Sequence, residues 1–197
     1  IWTTTTWTIP GNLAVCLGPE YNYTLVNANG EYYVMAEELV KTTMETAGIT
    51  EYTTTGSFTG AELEGMKTQH PLYDRLSPII TGSHVTLESG TGCVHTAPGH
   101  GVDDFIVCKK YKEIPIVVPV DDTGILTEEA GQFAGLSTED ANKPIAQHLE
   151  EIGALFALKK IKHQYPHCWR CHKPIIFRAT SQWFCSVDDF KDAAVKA

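Results

Sequence analysis

A hairpin signal near the amino end of the chain constrains its fold more than any other feature. Two runs rich in β-forming residues, 21–26 and 31–35, flank the turn-forming pair Asn29-Gly30. Apolar residues at helical spacing follow the second run, and Gly48 stops that pattern. The sequence therefore predicts strand, tight turn, strand and helix in this part of the chain.

Further short strands and one more helix complete the predicted fold. Residues 83–87, 114–120 and 155–161 have the composition of strands, and a second amphipathic helix is predicted to end at Gly153, with Pro144 near its start. The strand–helix alternation of a parallel doubly wound sheet is absent. The predicted fold class is α+β and mainly β, a closed or nearly closed β-barrel with peripheral helices.

Length and composition suit one fairly large domain, or one domain with an appendage. The chain has 197 residues, 43% of them hydrophobic, and no apolar run approaches the roughly 20 residues that span a bilayer. It has no secretory signal, so neither export nor a membrane is expected. It opens on a strand-like segment and ends in a short charged helix, which is typical of a domain cut from a longer protein. We predict a barrel domain in residues 1–160 and a basic, cysteine-containing segment in residues 161–197.

Charge is distributed unevenly along the chain. The formal net charge is −9, yet residues 155–178 contain no acidic side chain and these basic ones: Lys159, Lys160, Lys162, Arg170, Lys173 and Arg178. This basic strip also contains His163, His167 and His172. It is either an ordinary solvated surface or a local phosphate-binding site on a body that otherwise repels anions.

The cysteines favour a reducing compartment. Cys16, Cys93 and Cys108 stand singly within apolar runs, as buried free thiols do, and only Cys168 and Cys171 are paired in sequence. Without an export signal, a cytoplasmic location is expected rather than a disulfide framework. The Cys-x2-Cys spacing is that of a zinc knuckle, but a structural site needs four ligands. The pair is therefore either half of a site that residues outside this chain complete, or two reduced thiols without metal.

Residues 90–105, GTGCVHTAPGHGVDDF, hold the densest group of chemically active side chains. Cys93 and Val94 have the character of a strand end, and a helix is predicted to begin at Phe105. Polar side chains at such a corner are held rigidly and stay open to a ligand. Four of them are candidates for chemistry: His95, His100, Asp103 and Asp104.

These four side chains allow two chemical interpretations and one structural one. As metal ligands they would make a metal-dependent hydrolase, although Pro98 excludes a helical spacing between the histidines. Without metal, an aspartate would bind an ammonium group beside an imidazole that limits ligand shape. In the structural interpretation Asp103 caps the helix and His100 is exposed, and we adopt it for those two residues.

Four consecutive threonines, residues 3–6, lie between Trp2 and Trp7. Threonine favours strands, so an ordinary strand that Pro10-Gly11 ends is one interpretation. The other is a hydroxyl-lined wall, which binds water, ribose and carbonyl groups without adding charge.

Three ordered motifs carry a resemblance to a known family. They are WTTTTWTIPGN at residues 2–12, the segment at residues 90–105, and YPHCWRC with FRATSQWF within residues 165–184. Together they resemble the editing domain of bacterial isoleucyl-tRNA synthetases, and the likeness covers nearly the whole chain. Valyl enzymes usually carry lysine in place of the first histidine of HTAPGHG, so His95 indicates the isoleucyl branch.

The resemblance implies both a fold and a reaction. The fold is a β-barrel decorated with helices and inserted into a Rossmann-type synthetase, with residues 161–197 leading back towards the catalytic core. The reaction is hydrolysis of valine misattached to isoleucine tRNA, with valyl-adenylate as a second candidate substrate. A second, hydrolytic site is needed because one methylene group gives a binding pocket little discrimination. The implied partners are the tRNA 3′ end and the rest of the synthetase, in a cytoplasmic monomer that needs no cofactor for editing.

The resemblance also assigns residues. Catalytic roles fall on Thr4, Thr5, Asn12 and Asp104, substrate-binding roles on Trp2, Thr3 and His95, and half of a structural zinc site on Cys168 and Cys171. In the family the aspartate pairs with the α-ammonium group, the histidine limits side-chain size, the asparagine arranges substrate and water, and the tryptophan adjoins the adenine. Thr6 departs from the family, which usually has proline there, and so restores an N–H donor. The rival to an editing enzyme, besides a metal-dependent hydrolase, is a non-catalytic RNA-binding module built around the basic strip.

Overall fold

The computed structural model describes residues 1–161 and 165–196, and the strands in these residues form two separate sheets. The strands are β1 (Ala14–Leu17), β2 (Asn22–Ala28), β3 (Glu31–Ala36), β4 (Thr53–Thr59), β5 (Lys67–Gln69), β6 (Leu76–Thr81) and β7 (Val94–Thr96). One sheet has the order β5-β6-β1-β7 and the other the order β3-β2-β4. In the first sheet β1 pairs parallel with β6 and antiparallel with β7, so the strand that follows residues 2–12 lies beside the strand within residues 90–105.

The predicted hairpin and the helix after it are confirmed. Strands β2 and β3 pair antiparallel, and the turn between them places Asn29 and Gly30 at φ 53° and 84°, the backbone that this pair adopts most readily. A short 3-10 turn, Glu37–Leu39, then leads into α1 (Val40–Thr46). Gly48 ends the helical segment at φ 72°.

Four further α-helices lie in the described residues: α2 (Gly60–Leu63), α3 (Val102–Cys108), α4 (Thr138–Glu151) and α5 (Lys191–Lys196). Helix α4 is the second amphipathic helix of the sequence analysis; Ser137 caps it by accepting a hydrogen bond from Asp140 N at 3.1 Å. Pro144 lies inside this helix, not at its start. None of the described helices is long and apolar enough to cross a membrane.

The predicted closed barrel is not confirmed, because the two sheets stay open in the part of the chain described. Three predicted strands are wrong: residues 83–87 contain a turn, 114–120 pair only at Val120, and 155–161 form no regular structure. Pro115 and Pro119 remove two N–H donors from the second of these runs. Without these strands, too few paired segments remain to close a barrel. The domain boundary at residue 160 stays a prediction.

The threonine segment is also not a strand. Trp2 makes an isolated parallel bridge with Val94, and from Thr6 to Gly11 the backbone forms a 3-10 helix. This short helix packs on α4 through a buried cluster: Trp7, Ile9, Val120, Leu126, Ala130, Phe133, Ala141, Ile145 and Leu149. Asn142 Oδ1 accepts a hydrogen bond from Trp7 N at 3.0 Å. Because each large apolar side chain in such a cluster contributes about 1.5–3 kcal/mol, packing with α4 outweighs the β-propensity of the threonines.

Candidate active site

Trp2 joins the threonine segment to β7. Trp2 N donates to Cys93 O at 2.8 Å, and His95 N donates to Trp2 O at 3.1 Å. Gly90, at φ 81°, lies directly against the Trp2 ring, and a Cβ there would come within 2.3 Å of the ring. The chain therefore needs glycine at this point to keep the indole beside the strand.

The threonines after Trp2 form a turn that their own hydroxyl groups stabilise. Thr3 Oγ1 accepts a hydrogen bond from Thr5 N at 3.0 Å, and Thr4 Oγ1 lies 3.4 Å from Thr5 Oγ1. Thr4 is exposed, whereas Thr3 and Thr5 are half-buried. The turn therefore presents hydroxyl groups to its surroundings, as the predicted hydroxyl-lined wall does.

His95 lies in β7 with both ring nitrogens hydrogen-bonded. Asn12 Nδ2 lies 2.8 Å from Nδ1, and Thr8 Oγ1 lies 3.0 Å from Nε2. Burial lowers the pKa of His95 to about 3. The imidazole is therefore neutral at physiological pH and held in one orientation.

Asp104 lies in the first turn of α3, and it folds back onto the loop before the helix. Its Oδ2 accepts a hydrogen bond from Ala97 N at 2.9 Å. Gly101 is the N-cap, where a Cβ would come within 2.7 Å of that oxygen. Burial raises the pKa of the Asp104 carboxyl; the Ala97 N–H and His84 lower it in part, and Asp103 raises it. No Lys, Arg or His side chain of the described residues forms an ion pair with this carboxylate.

His100 is buried, so the prediction that it is exposed is wrong. It is 8% exposed, its ring meets the Trp7 ring edge-on at a centroid distance of 4.9 Å, and Nδ1 lies 3.1 Å from Phe177 O. Because a carbonyl only accepts, Nδ1 carries the proton of that bond. Asp103 is exposed and lies inside the first turn, with Gly101 in the capping position, so its predicted capping role is also wrong.

These elements surround one cavity of about 400 Å³. Its lining includes six of the predicted site residues: Trp2, Thr3, Thr4, Thr5, His95 and Asp104. Asn12 is buried behind His95, outside this lining, and reaches the cavity only through the imidazole. The volume is that of a small-molecule site, with one carboxylate, neutral imidazoles and a row of hydroxyl groups on its wall.

A family model described as "Leucyl-tRNA synthetase, editing domain" matches residues 1–150. The chain belongs to this family of aminoacyl-tRNA synthetase editing domains. It is 57% identical to the isoleucine–tRNA ligase of Caldicellulosiruptor bescii and 53% identical to that of Moorella thermoacetica, in each case over all of this chain and 21% of the relative. The chain thus spans about a fifth of the length of these relatives, and the resemblance to the isoleucyl editing domain is confirmed.

Two solved editing domains have a similar fold. The domain named GlLeuRS-CP1 matches with a TM-score of 0.64 at 16% identity, over 77% of this chain and 79% of that one. The Plasmodium falciparum cytosolic leucyl-tRNA synthetase editing domain matches with a TM-score of 0.62 at 12% identity, over 76% and 75% respectively. At such identities the likeness concerns the fold alone, and it supports a mixed α and β architecture.

The metal-dependent alternative finds no support in this editing domain. Within residues 1–161 and 165–196, no three His, Cys, Asp or Glu side chains come together as a metal site. Both nitrogens of His95 are already bonded, and Asp103 lies at the surface, away from the cavity lining. The four candidate ligands therefore do not converge.

Cys168 and Cys171 lie on a surface turn, where Cys168 is half-buried and Cys171 is exposed. The N–H groups of Cys171 and Arg170 donate to the Cys168 sulfur and lower the pKa of that thiol. Cys168 N donates to Lys173 O at 2.8 Å, and His172 N donates to Cys168 O at 2.9 Å. The Cys-x2-Cys turn supplies two of the four ligands that a zinc knuckle needs, and no other His, Cys, Asp or Glu side chain of the described residues completes a metal site there.

The basic strip offers less free charge than its sequence indicates. Arg178 NH1 lies 2.7 Å from Asp122 Oδ1, and its Nε donates to Val120 O at 2.9 Å. Arg170 stacks on the Trp169 ring at 4.7 Å. Lys162 and His163 lie outside the described residues. One arginine of the strip is therefore already neutralised by the protein itself.

Sequence reasoning missed several residues around the site. Thr8 and Ser77 complete the hydrogen bonds behind His95; Phe177 and Tyr165 line the cavity. Thr8 and the aromatic pair lie within the motifs that carry the resemblance, which is the only signal that could have singled them out. Ser77 lies outside every motif.

Proposed function

We propose that this chain hydrolyses the ester of valine misattached to isoleucine tRNA, with valyl-adenylate as a second candidate substrate. One observation carries the proposal: a half-buried carboxylate, Asp104, lines a cavity in a family of editing domains and forms no ion pair among the described residues. Burial of a carboxylate is unfavourable unless a cation or several donors compensate it. The α-ammonium group of an aminoacyl ester is such a cation.

In the proposed mechanism, water attacks the ester carbonyl directly and no covalent enzyme intermediate forms. Asp104 binds the ammonium group, while the hydroxyl groups of Thr4 and Thr5 orient the water and the ester. Esters are already activated, so orientation supplies much of the acceleration. Asn12 contributes indirectly, because it holds the His95 ring.

His95 sets the size limit in this mechanism. Its imidazole is neutral and bonded at both nitrogens, so it acts as a wall rather than as a base. A valine side chain fits in front of the wall, and the additional methylene of isoleucine does not. Trp2 and Thr3 are proposed to contact the terminal adenosine.

The remaining proposals concern the larger protein. We propose a cytoplasmic, monomeric ligase in which the tRNA 3′ end reaches this cavity and in which zinc, when bound, would tie the Cys168–Cys171 turn to ligands elsewhere. The chain's net charge of −9 leads us to expect weak and salt-sensitive tRNA binding.

Single-turnover deacylation with the chain in excess tests the proposal. Preformed valyl- and isoleucyl-esters of the same isoleucine tRNA are compared, with valyl-adenylate as a third substrate. We expect release of valine from the tRNA and little release of isoleucine. Binding of both esters without hydrolysis of either would favour the RNA-binding module instead.

A further inference from the structure

Ser77 has no part in the mechanism above, yet its hydroxyl group lies buried directly behind the site. It belongs to β6, is 1% exposed, and lies 65 residues along the chain from Asn12. Ser77 Oγ donates to Asn12 Oδ1 at 2.7 Å. A buried donor at that distance is well placed to control the side chain that it contacts.

The orientation of the Asn12 amide follows from its other neighbour, Ala14. Asn12 Nδ2 lies 3.0 Å from Ala14 O. A main-chain carbonyl only accepts, so the nitrogen of the amide must face it and the oxygen must face Ser77. The second hydrogen of Nδ2 is then left for His95 Nδ1, at 2.8 Å.

This orientation decides which nitrogen of His95 carries the proton. Nδ1 receives a hydrogen bond and is therefore unprotonated, so the proton is on Nε2, which donates to Thr8 Oγ1 at 3.0 Å. The Thr8 hydroxyl must in turn donate elsewhere, and it does so to Thr5 O at 2.7 Å. Every donor in this series meets an acceptor. An imidazolium would instead direct a second N–H at the amide nitrogen of Asn12.

The series ends at the carbonyl that holds the threonine turn. Thr5 O also accepts from Thr3 Oγ1 at 3.2 Å and from Thr8 N at 3.3 Å. A directed row of hydrogen bonds thus links β6 to the cavity wall through Ser77, Asn12, His95, Thr8 and Thr5. We call these five residues the Ser77 relay.

We propose that Ser77 is a positioning residue for ester hydrolysis: its hydroxyl group locks the Asn12 amide, and thereby holds His95 as the Nε2-protonated imidazole and fixes the threonine turn. The activity part of this inference rests on the proposed function. Without the Ser77 hydroxyl, Asn12 Oδ1 loses its buried donor, and only the bond from Nδ2 to Ala14 O still opposes rotation of the amide. The His95 wall is then held less firmly on its Nδ1 side, and the looser ring weakens the bond through Thr8 that helps to fix the threonine turn.

The first test is the wild-type chain itself. Long-range nitrogen–proton NMR of 15N-histidine-labelled protein reports which ring nitrogen is protonated. We expect His95 to show a bare Nδ1 and a protonated Nε2 at neutral pH. A protonated Nδ1, or an imidazolium, would overturn the relay whatever any variant does.

The second test removes the hydroxyl group. Ser77→Ala should reduce the single-turnover rate on the valyl ester by about 10-fold, because a buried acceptor loses its donor. The protein concentration that gives half the maximal rate should change less than about 2-fold. The same variant should mix the two His95 tautomers in the nitrogen spectrum. Ser77→Thr should restore most of the rate, and Ser77→Cys, which keeps a weaker donor of similar size, should lie between.

Thr24→Val is the matched control. Thr24 is 4% exposed and its hydroxyl group donates to Gly56 O at 2.8 Å in the other sheet. Its loss should lower stability without changing the rate or the His95 spectrum. An equal rate loss in this control would mean that Ser77 acts through general stability alone.

The outcomes separate the two proposals. If the wild-type chain does not hydrolyse the valyl ester, the proposed function is wrong, while the spectra of wild type and Ser77→Ala still decide the relay. If the wild type hydrolyses the ester and Ser77→Ala does so at the same rate, the positioning role is wrong and the proposed function stands. If Ser77→Ala does not fold, Ser77→Cys provides the same comparison.

Discussion

Replacing Asp104 by asparagine tests the central contact of the proposed mechanism. The change removes the negative charge but keeps an oxygen that accepts from Ala97 N, now at 2.9 Å from Oδ2, so the loop before α3 should keep its shape. A charge pair at about 4 Å is worth roughly 4 kcal/mol at an effective dielectric constant of 20. That is about 1000-fold in rate. Because Asp104 is half-buried rather than fully enclosed, we expect a loss nearer 100-fold.

The assay is a cycle of two proteins and two substrates. Wild type and Asp104→Asn are each measured on valyl-tRNA and on N-acetylvalyl-tRNA, whose nitrogen carries no charge. The variant should lose about 100-fold on the first substrate and little on the second, because only the first offers a cation. Asp103→Asn is the matched control, since it removes an exposed charge from the same helical turn. Equal losses on both substrates would refute the ammonium contact.

Three further predictions follow from the same geometry. His95→Ala should raise the rate on the isoleucyl ester, relative to the valyl ester, by at least about 10-fold, since one methylene typically gives about 1–3 kcal/mol of discrimination. His70→Ala is the control, because it removes a ring that is also buried but lies outside the cavity lining. This control should leave the selectivity between the two esters unchanged. Because burial raises the Asp104 pKa, its ionisation destabilises the folded state as pH rises above the usual value of 3.8. Asp104→Asn should therefore unfold at higher urea than wild type at pH 7, and this gain should vanish near pH 3; a gain that persists at low pH would contradict the cause. Finally, chain treated with a chelator should hydrolyse the valyl ester at an unchanged rate, and recovery of a lost activity with added zinc would revive the metal-dependent alternative.

Local signals in the sequence were sufficient where neighbouring residues decide the structure. The Asn29-Gly30 turn, the helix that ends near Gly48 and helix α4 depend on backbone preference and spacing within a few positions. The motif resemblance likewise identified six residues that line one cavity. These predictions required no knowledge of distant partners.

Tertiary contacts decided the rest. The threonine segment has strand composition, yet Trp7 N bonds to Asn142, 135 residues away, and the segment turns into a 3-10 helix. His100 has the sequence context of a loop histidine, but the carbonyl of Phe177 and the Trp7 ring bury it. Ser77 stands in an unremarkable strand, and only the pairing of β6 with β1 brings it to Asn12. Short segments of sequence carry no information about these contacts, because the residues that make them are far apart along the chain.

The proposed mechanism needs neutral histidines on the same cavity wall as a charged Asp104. Burial lowers the pKa of His95 to about 3 and also lowers that of His100, so neither imidazole carries a positive charge at neutral pH. A charged imidazolium on the same wall would attract the Asp104 carboxylate and compete with a ligand for it. The proposed Ser77 relay would oppose that charge, because it would leave His95 Nδ1 only as a hydrogen-bond acceptor. In the proposed mechanism, these hydrogen bonds would keep the Asp104 carboxylate available for an incoming ammonium group without contacting the ligand.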